Sequence, residues 1–506
     1  MVPSLSKKRI IVCCDGTWQN SDNGHAKSNS KTEPRLQIPS NFQIIYYQSG
    51  VGSRSGFIDR VFGGAFGIGI AENIREAYAF LCANYVDGDD IVLLGFSRGA
   101  FTARSIGGMI SDLGLLTREG MEFFYPIFKD MQNWTNDHYD DPVKGNNGQG
   151  RPIRVLAIDI ADIVVGVWDT VGSLGVPDER RPQEKGSSDL RQVWFPGSHA
   201  NIGGGWPDQG VADTTLAWMM DQLSSVGCEF QPNALERAFA STVRYYTHQE
   251  QERAIRRSLK KSIWAAVPIY ESNKPIRPWA LHSIQSATSP LYNLVGSVSR
   301  APGMYKRINP KNGRPLPEFL EDTNERIHPS VRVRLACEGL GLNDWEIWHC
   351  PSLLKYWRPR RVPQQFSDPV PRRAEWGPSR TNSRVETTTN MGEQSGSAGI
   401  AASASMESLQ MLSQDPSERW VWVYTGPEAT APAVKMMVEE NLGPFEQRLL
   451  ELAAGKVHVY KYAEEQDVNE LKAFHLRSFR KMMRRLHKKW HSEMTASEPT
   501  GEIDGA

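Results

Sequence analysis

Between Ile91 and Arg104 a short apolar run, Ile91 to Leu94, leads straight into Gly95-Phe96-Ser97-Arg98-Gly99 and then into small and apolar residues at helical spacing. Asp87-Gly88-Asp89-Asp90 ahead of it is a turn signal, so the run reads as a buried strand and Ala100 to Ile110 as a helix. Strand and helix alternating in this way along the chain argue for a parallel sheet covered on both faces, the α/β class. The turn between this strand and helix makes Ser97 a candidate nucleophile. A serine hydroxyl on a strained strand-to-helix turn stands above the sheet beside the first helix N–H groups, and Gly95 and Gly99 leave room for the turn. An ordinary turn is the competing reading, because the bare Gly-x-Ser-x-Gly pattern is common.

The rest of the chain repeats the rhythm. Ile10 to Cys14 reads as a strand ending at Asp15-Gly16-Thr17-Trp18, Gln43 to Tyr47 as a second strand, and Ala71 to Tyr85 as a helix. Val164 to Trp168 is an apolar run closed by Asp169-Thr170-Val171-Gly172, and Gln192 to Phe195 is closed by Pro196-Gly197-Ser198-His199. Asp213 to Leu223 reads as an amphipathic helix with its aspartate where the helix dipole favours it. The expected architecture is an α/β-hydrolase fold, a mostly parallel sheet with helices on both faces and chemistry at the carboxyl ends of the strands. The expected division is a catalytic domain over 1–357, a low-complexity linker over 358–415 and a C-terminal region over 416–506. Asn382 to Gln414 is rich in Ser, Thr, Gly and Ala, with little to bury. Order resumes at Arg419 to Tyr424, where apolar residues recur with period two. Val468 to Trp490 reads as a basic amphipathic helix.

A serine hydrolase needs a base beside the serine, an acid to orient that base, and donors for the oxyanion. Ser97, Asp169 and His199 supply the first three in the chain order that α/β hydrolases use, each just past an expected strand end. His199 is the candidate base, against a turn histidine that hydrogen-bonds backbone. Asp169 is the candidate acid, against a strand-end cap, with Asp208 and Asp213 as rivals. For the oxyanion, the Arg98 amide is one candidate donor and the Gly16 or Thr17 amide the other. His328 is a spare base candidate. A haloacid-dehalogenase-type phosphatase is the rival suggested by Asp15-Gly16-Thr17, but Cys13 stands where that chemistry needs its aspartyl nucleophile. The glycines from Gly63 to Gly69 lack dinucleotide spacing. No metal or organic cofactor is called for.

Composition narrows the partners. Lys plus Arg and Asp plus Glu both number 58, so no overall charge imbalance recruits nucleic acid or an anionic surface. The 6 cysteines are scattered, without zinc or redox spacing. Ile10 to Cys14 is too short for a signal peptide or a membrane span, so a cytoplasmic protein is expected. A peripheral membrane contact through residues 468–490 is the local exception, against a surface helix or solvated tail. The oligomeric state is left open.

Gly95-Phe96-Ser97-Arg98-Gly99-Ala100, Asp15-Gly16-Thr17-Trp18, Trp168-Asp169-Thr170-Val171-Gly172 and Phe195-Pro196-Gly197-Ser198-His199 together resemble one family. It is the largely uncharacterised, mainly fungal α/β-hydrolase family that shares its catalytic domain with type VI secretion phospholipase effectors. The resemblance runs from about Ile10 to Trp357. It implies Ser97 as nucleophile, Asp169 as acid and His199 as base, acting on ester bonds, with phospholipids as the bacterial substrate class. The chain departs from the family pattern between Leu174 and Leu190, where a longer segment is usual. That shortening lies between the proposed acid and base, and a misplacement of about 1 Å costs on the order of a hundredfold in rate. A weak or inactive hydrolase-fold protein serving as a binding or membrane-associated scaffold is therefore the alternative.

Overall fold

The structure is a computed structural model describing residues 7–16, 42–50, 65–132, 157–158, 163–170, 189–255, 264–265, 276–285, 299–309, 314–321, 323–363, 418–453 and 456–466. Thr17, most of the shortened 175–189 segment and the basic stretch 468–490 lie outside these residues.

The first sheet is built from the expected apolar runs. β1 (Arg9–Cys14), β2 (Gln43–Gln48), β3 (Asp90–Phe96) and β6 (Ile163–Trp168) stand in the order β2-β1-β3-β6, every neighbouring pair parallel. The short strands β4 (Leu115–Leu116) and β5 (Ala157–Ile158) pair apart from it. Side chains of a strand alternate between faces, and both faces here are apolar. Ile10, Val12, Ile91 and Leu93 pack with Ile70, Ile74 and Leu81 of α1 (Ala65–Asn84) and with Ala103, Ile106 and Ile110 of α2 (Arg98–Leu113). Ile11, Cys13, Val92, Leu94 and Phe96 face the other way. They join Leu216, Met219 and Met220 of the later helix Gly210–Ser225. Double-sided burial explains why these strands read as unbroken apolar runs rather than as alternation.

Register sets where the loops emerge. Cys14 lies beside Gly95, and Phe96 beside Trp168. The residues that follow, Asp15, Ser97 and Asp169, therefore leave the sheet along a common rim.

A second sheet takes up the remaining strands. β7 (Gln192–Trp194) pairs parallel with β10 (Glu325–Ile327), and β10 parallel with β13 (Met436–Glu439). β12 (Glu418–Tyr424) then runs antiparallel to β13, and β11 (Trp357–Pro363) antiparallel to β12 at the edge. β6 and β7 share no ladder among the described residues. A separate hairpin is formed by β8 (Lys306–Ile308) and β9 (Pro315–Phe319).

Between the sheets and around them lie α3 (His199–Gly203), α4 (Gly210–Ser225), α5 (Ala234–Ile255), α6 (Pro329–Ala336), α7 (Pro444–Leu452) and α8 (Lys456–Glu465). Leu449, Leu450 and Val459 belong to the same core as Met220 and Leu94. Asp221 on α4 accepts hydrogen bonds from the Phe445 and Glu446 amides at 2.9 and 3.1 Å, satisfying N–H groups that open α7. Trp422 and Tyr424 of β12 pack with Trp357, Ile327 and Leu335. The chain after residue 417 thus completes both the second sheet and the main core. None of the 6 cysteines forms a disulfide. Among the described residues no helix is long and apolar enough to cross a membrane.

Candidate active site

The turn after β3 is as tight as the glycines around it allow. Ser97 has φ 58° and ψ −121°, a positive φ that a residue with a side chain rarely adopts. A Cβ on Gly95 would stand 2.4 Å from the Gly99 carbonyl oxygen, and one on Gly99 would stand 2.2 Å from that of Cys14. Hydrogen at both positions lets α2 begin directly against β1 and β3. The Ser97 amide donates to the Trp168 carbonyl at 3.1 Å, tying the turn to the end of the neighbouring strand.

His199 is brought to this turn by the first turn of α3. The Asn201 side-chain oxygen accepts from the amides of Ser198 (3.2 Å) and Gln285 (3.1 Å), and the Ser198 hydroxyl donates to the Gln285 carbonyl at 2.6 Å. These bonds hold the segment beside a distant loop. Phe96 fills the space behind, its ring centroid 4.8 Å from that of His199. A Cβ on Gly203 would fall 2.0 Å from the Phe96 ring, and one on Gly16 would fall 2.8 Å from it. The absence of a side chain at Gly16 and Gly203 thus lets one aromatic ring seat the imidazole.

The three side chains singled out from sequence meet in a row. His199 Nε2 lies 2.8 Å from Ser97 Oγ, and His199 Nδ1 lies 2.6 Å from Asp169 Oδ2. Both distances suit hydrogen bonds. The carboxylate accepts from Nδ1–H, which leaves Nε2 as the acceptor for the hydroxyl proton; this tautomer follows from the network. Asp169 itself has φ 36°. Its second oxygen, Oδ1, accepts from Arg300 Nη2 at 3.1 Å. Burial pushes the Asp169 carboxyl up, but the hydrogen bond and charge of His199, with those of Arg300, outweigh it and hold the group below its ordinary value. The His199 side chain is 39% exposed, so the row opens to solvent at the imidazole. Despite the shortened segment between them, Asp169 and His199 are in contact.

The candidate oxyanion donors fare unequally. Arg98 opens α2, and helix geometry directs its N–H out of the N-terminal end beside Ser97. Gly16 is close, since a Cβ there would stand 3.4 Å from that of Ser97. Its amide, however, donates to Asp15 Oδ1 at 2.6 Å, while the other oxygen of Asp15 accepts from the Tyr47 hydroxyl at 2.7 Å. Thr17 is outside the described residues.

The rival residues are engaged elsewhere. Asp208 is buried and accepts from the Tyr246 hydroxyl and from the Ser283 and Gly210 amides. Asp213 is buried and accepts from Thr242 Oγ1 at 2.6 Å. His328, fully buried, meets Ser330 Oγ and Glu446 Oε1, each at 2.6 Å. Burial pushes His328 down to about 3 and Glu446 well up, so both favour their neutral forms. Arg300 and Phe96 are the residues that sequence reasoning did not pick out. Arg300 carried no signal, being one cation among many and 131 positions from its partner.

A mixed α/β protein with Ser, His and Asp side chains aligned at the rim of a parallel sheet is the class that fold and site define. Residues 8–185 and 178–222 match the model of the family described as "T6SS, Phospholipase effector Tle1-like, catalytic domain". The matched stretches include Ser97, Asp169 and His199, and over them the chain resembles that catalytic domain. The chain is also 29% identical over 195 residues to an uncharacterized protein of Saccharomyces cerevisiae, YEL023C. That alignment covers 35% of this chain and 28% of the yeast protein. No solved structure matches the chain.

Proposed function

We propose that this protein is an α/β-hydrolase-fold serine hydrolase that cleaves carboxylic esters of lipid-like substrates through an acyl-enzyme. The observation that carries the reading is the continuous row from Ser97 Oγ through His199 to Asp169, with contacts of 2.8 and 2.6 Å. The similarity to a phospholipase effector catalytic domain supports lipid esters, phospholipids among them, as the substrate class.

In the first half-reaction Ser97 Oγ bonds to the ester carbonyl carbon as its proton passes to His199 Nε2. The carbonyl oxygen becomes an oxyanion beside the Arg98 amide, with the Gly16 or Thr17 amide as the second donor. For Gly16 to serve, its N–H must turn from Asp15 to the substrate. The tetrahedral adduct collapses, the carbon–oxygen bond to the alcohol breaks, and the imidazolium gives its proton to the departing alkoxide. Water then attacks the acyl-serine, losing its proton to Nε2, and collapse releases the acid and returns the proton to Ser97. Asp169 keeps Nδ1 protonated throughout and stabilises the imidazolium.

Labelling with a fluorophosphonate probe tests this. The wild-type chain is expected to label and Ser97→Ala to lose all labelling, while Asp169→Asn lowers ester turnover by about ten thousandfold because the imidazole is held in the wrong tautomer. A chain that never labels, or a Ser97→Ala variant that labels as well as the parent, would remove the assignment.

A further inference from the structure

The candidate base stands on a very short support. α3 has 5 residues, and His199 is the first of them. So short a helix does not hold itself in water, and its place depends on bonds to the rest of the molecule. At its far end Thr215 Oγ1, on α4, donates to the Ile202 carbonyl at 2.6 Å. At the end that carries the imidazole the fastening is Asn201, which is 2% exposed. Its Oδ1 accepts from the Ser198 amide at 3.2 Å, the returning half of a capping box, and from the Gln285 amide at 3.1 Å. Its Nδ2 donates to the Ser283 carbonyl at 3.3 Å. Two backbone donors face one end of this side chain and a backbone acceptor faces the other. A primary amide satisfies all three, whereas a carboxylate or an aliphatic side chain leaves at least one unmet. Gly197, at φ 133°, makes room for it: a Cβ there would stand 2.9 Å from that of Asn201.

The segment that Asn201 grips is itself anchored. The Ser283 amide donates to Asp208 Oδ2 at 3.0 Å, and the Ser283 hydroxyl donates to Asp344 Oδ1 at 3.3 Å. Asp208 also accepts from the Tyr246 hydroxyl of α5 and from the Gly210 amide, while Arg277 Nη1 donates to Asp344 Oδ1 at 2.8 Å. Asn201 is thus the joint between a largely buried polar network, which reaches α5, and the row at the rim of the first sheet.

We propose that Asn201 is the positioning residue of the base: it fixes the first turn of α3 against Ser283–Gln285 and so keeps His199 within hydrogen-bond reach of Ser97 and Asp169 together. Asn201 acts through His199 and takes no part in proton transfer. Its effect on turnover rests on the hydrolase reading; the seating of His199 on Asp169 does not.

Proton magnetic resonance and kinetics test these two parts separately. The proton between His199 Nδ1 and Asp169 is expected to resonate well downfield of the amides in the wild-type chain and to be absent from His199→Gln, which assigns it. In Asn201→Ala that signal is expected to be lost to exchange with water. Tyr78→Phe, which removes a buried hydrogen bond to the Gly114 carbonyl on the other face of the sheet, is expected to keep it. In ester turnover Asn201→Ala is expected to lower kcat by about a hundredfold, the cost of a misplacement of about 1 Å, and to change KM by less than about threefold. Ser198→Ala removes the half-buried hydroxyl that donates to the Gln285 carbonyl at 2.6 Å. It is expected to weaken the signal and to lower kcat by up to about tenfold, and it carries the test if Asn201→Ala does not fold. A signal that persists at full strength in both variants overturns the role of Asn201, as does a wild-type chain without the signal or an equal loss in Tyr78→Phe. Absence of fluorophosphonate labelling, with the signal present and dependent on Asn201, would remove the hydrolase reading and leave the seating of His199 in place.

Discussion

At the scale of single residues, Arg300 shows how a proposed catalytic acid is held from two sides. Its guanidinium takes the carboxylate oxygen that His199 does not. A hydrogen bond to a charged group contributes about 1.5–3 kcal/mol, so Arg300→Gln is expected to lower ester turnover by about tenfold or more. Ser97 should still label, more slowly. Turnover that matches wild type across pH would mean Arg300 merely neighbours the acid. The positions of Ser97 and Asp169 are legible in the sequence because each directly follows an apolar run and parallel register aligns the ends of β3 and β6, whereas His199 follows a strand of the other sheet and reaches them through α3. Arg300 is not legible, because a long-range ion pair leaves no pattern in the residues around it. Gly16 illustrates a subtler limit. Its nearness to Ser97 can be read from the strand order, but the direction of its N–H depends on Asp15 and Tyr47.

At the scale of elements, α4 carries one buried and one half-buried carboxyl and shows what an amphipathic pattern hides. Asp213 reads from sequence as a helix-start residue, and it does lie in the first turn of α4, yet it is 3% exposed. Burial pushes its carboxyl up to about 7, against the hydrogen bond from Thr242 and with help from the charge of Asp208. Burial also pushes Asp221 up to about 7, despite the amides of Phe445 and Glu446. A carboxyl with a raised folded-state value keeps its proton in the native chain after the unfolded chain has lost it. The relative stabilisation is therefore complete below about 4, the unfolded value, and is lost as pH rises to about 7. Asp213→Asn removes this residue's share of the dependence and leaves that of Asp221, so it is expected to gain on the order of 4 kcal/mol over wild type at pH 8 and markedly less at pH 5. Urea unfolding at the two pH values measures this, and an equal gain at both would show that Asp213 does not titrate in that window. The strands β1, β3 and β6 were easier to read than this helix because unbroken apolar runs bounded by turns have few other uses. The break between β6 and β7 was not legible, since strand pairing is decided by partners far apart in sequence.

At the scale of the whole molecule, the two sheets depend on residues from both ends of the chain. β11 and β12 pair over their full lengths although residues 364–417 separate them. Leu449, Leu450 and Val459 lie within the core that also holds Leu94 and Phe96. Period two at Arg419 to Tyr424 revealed a strand, but it could not reveal which strands flank it. A protease site placed within 364–417 is expected to yield two pieces that travel together on a sizing column after cleavage. A chain ending at Pro363 is expected to lose cooperative unfolding, because burying each large aliphatic side chain is worth about 1.5–3 kcal/mol and several are missing at once. Pieces that part under native conditions, the first still folded, would contradict that dependence. The Ser97 turn leaves the ribosome well before Leu449, Leu450 and Val459, the side chains that close the space behind its sheet. Until those residues have been added, a nascent chain holds its serine over an unsealed interior, so the order of manufacture itself delays the moment at which this site can form.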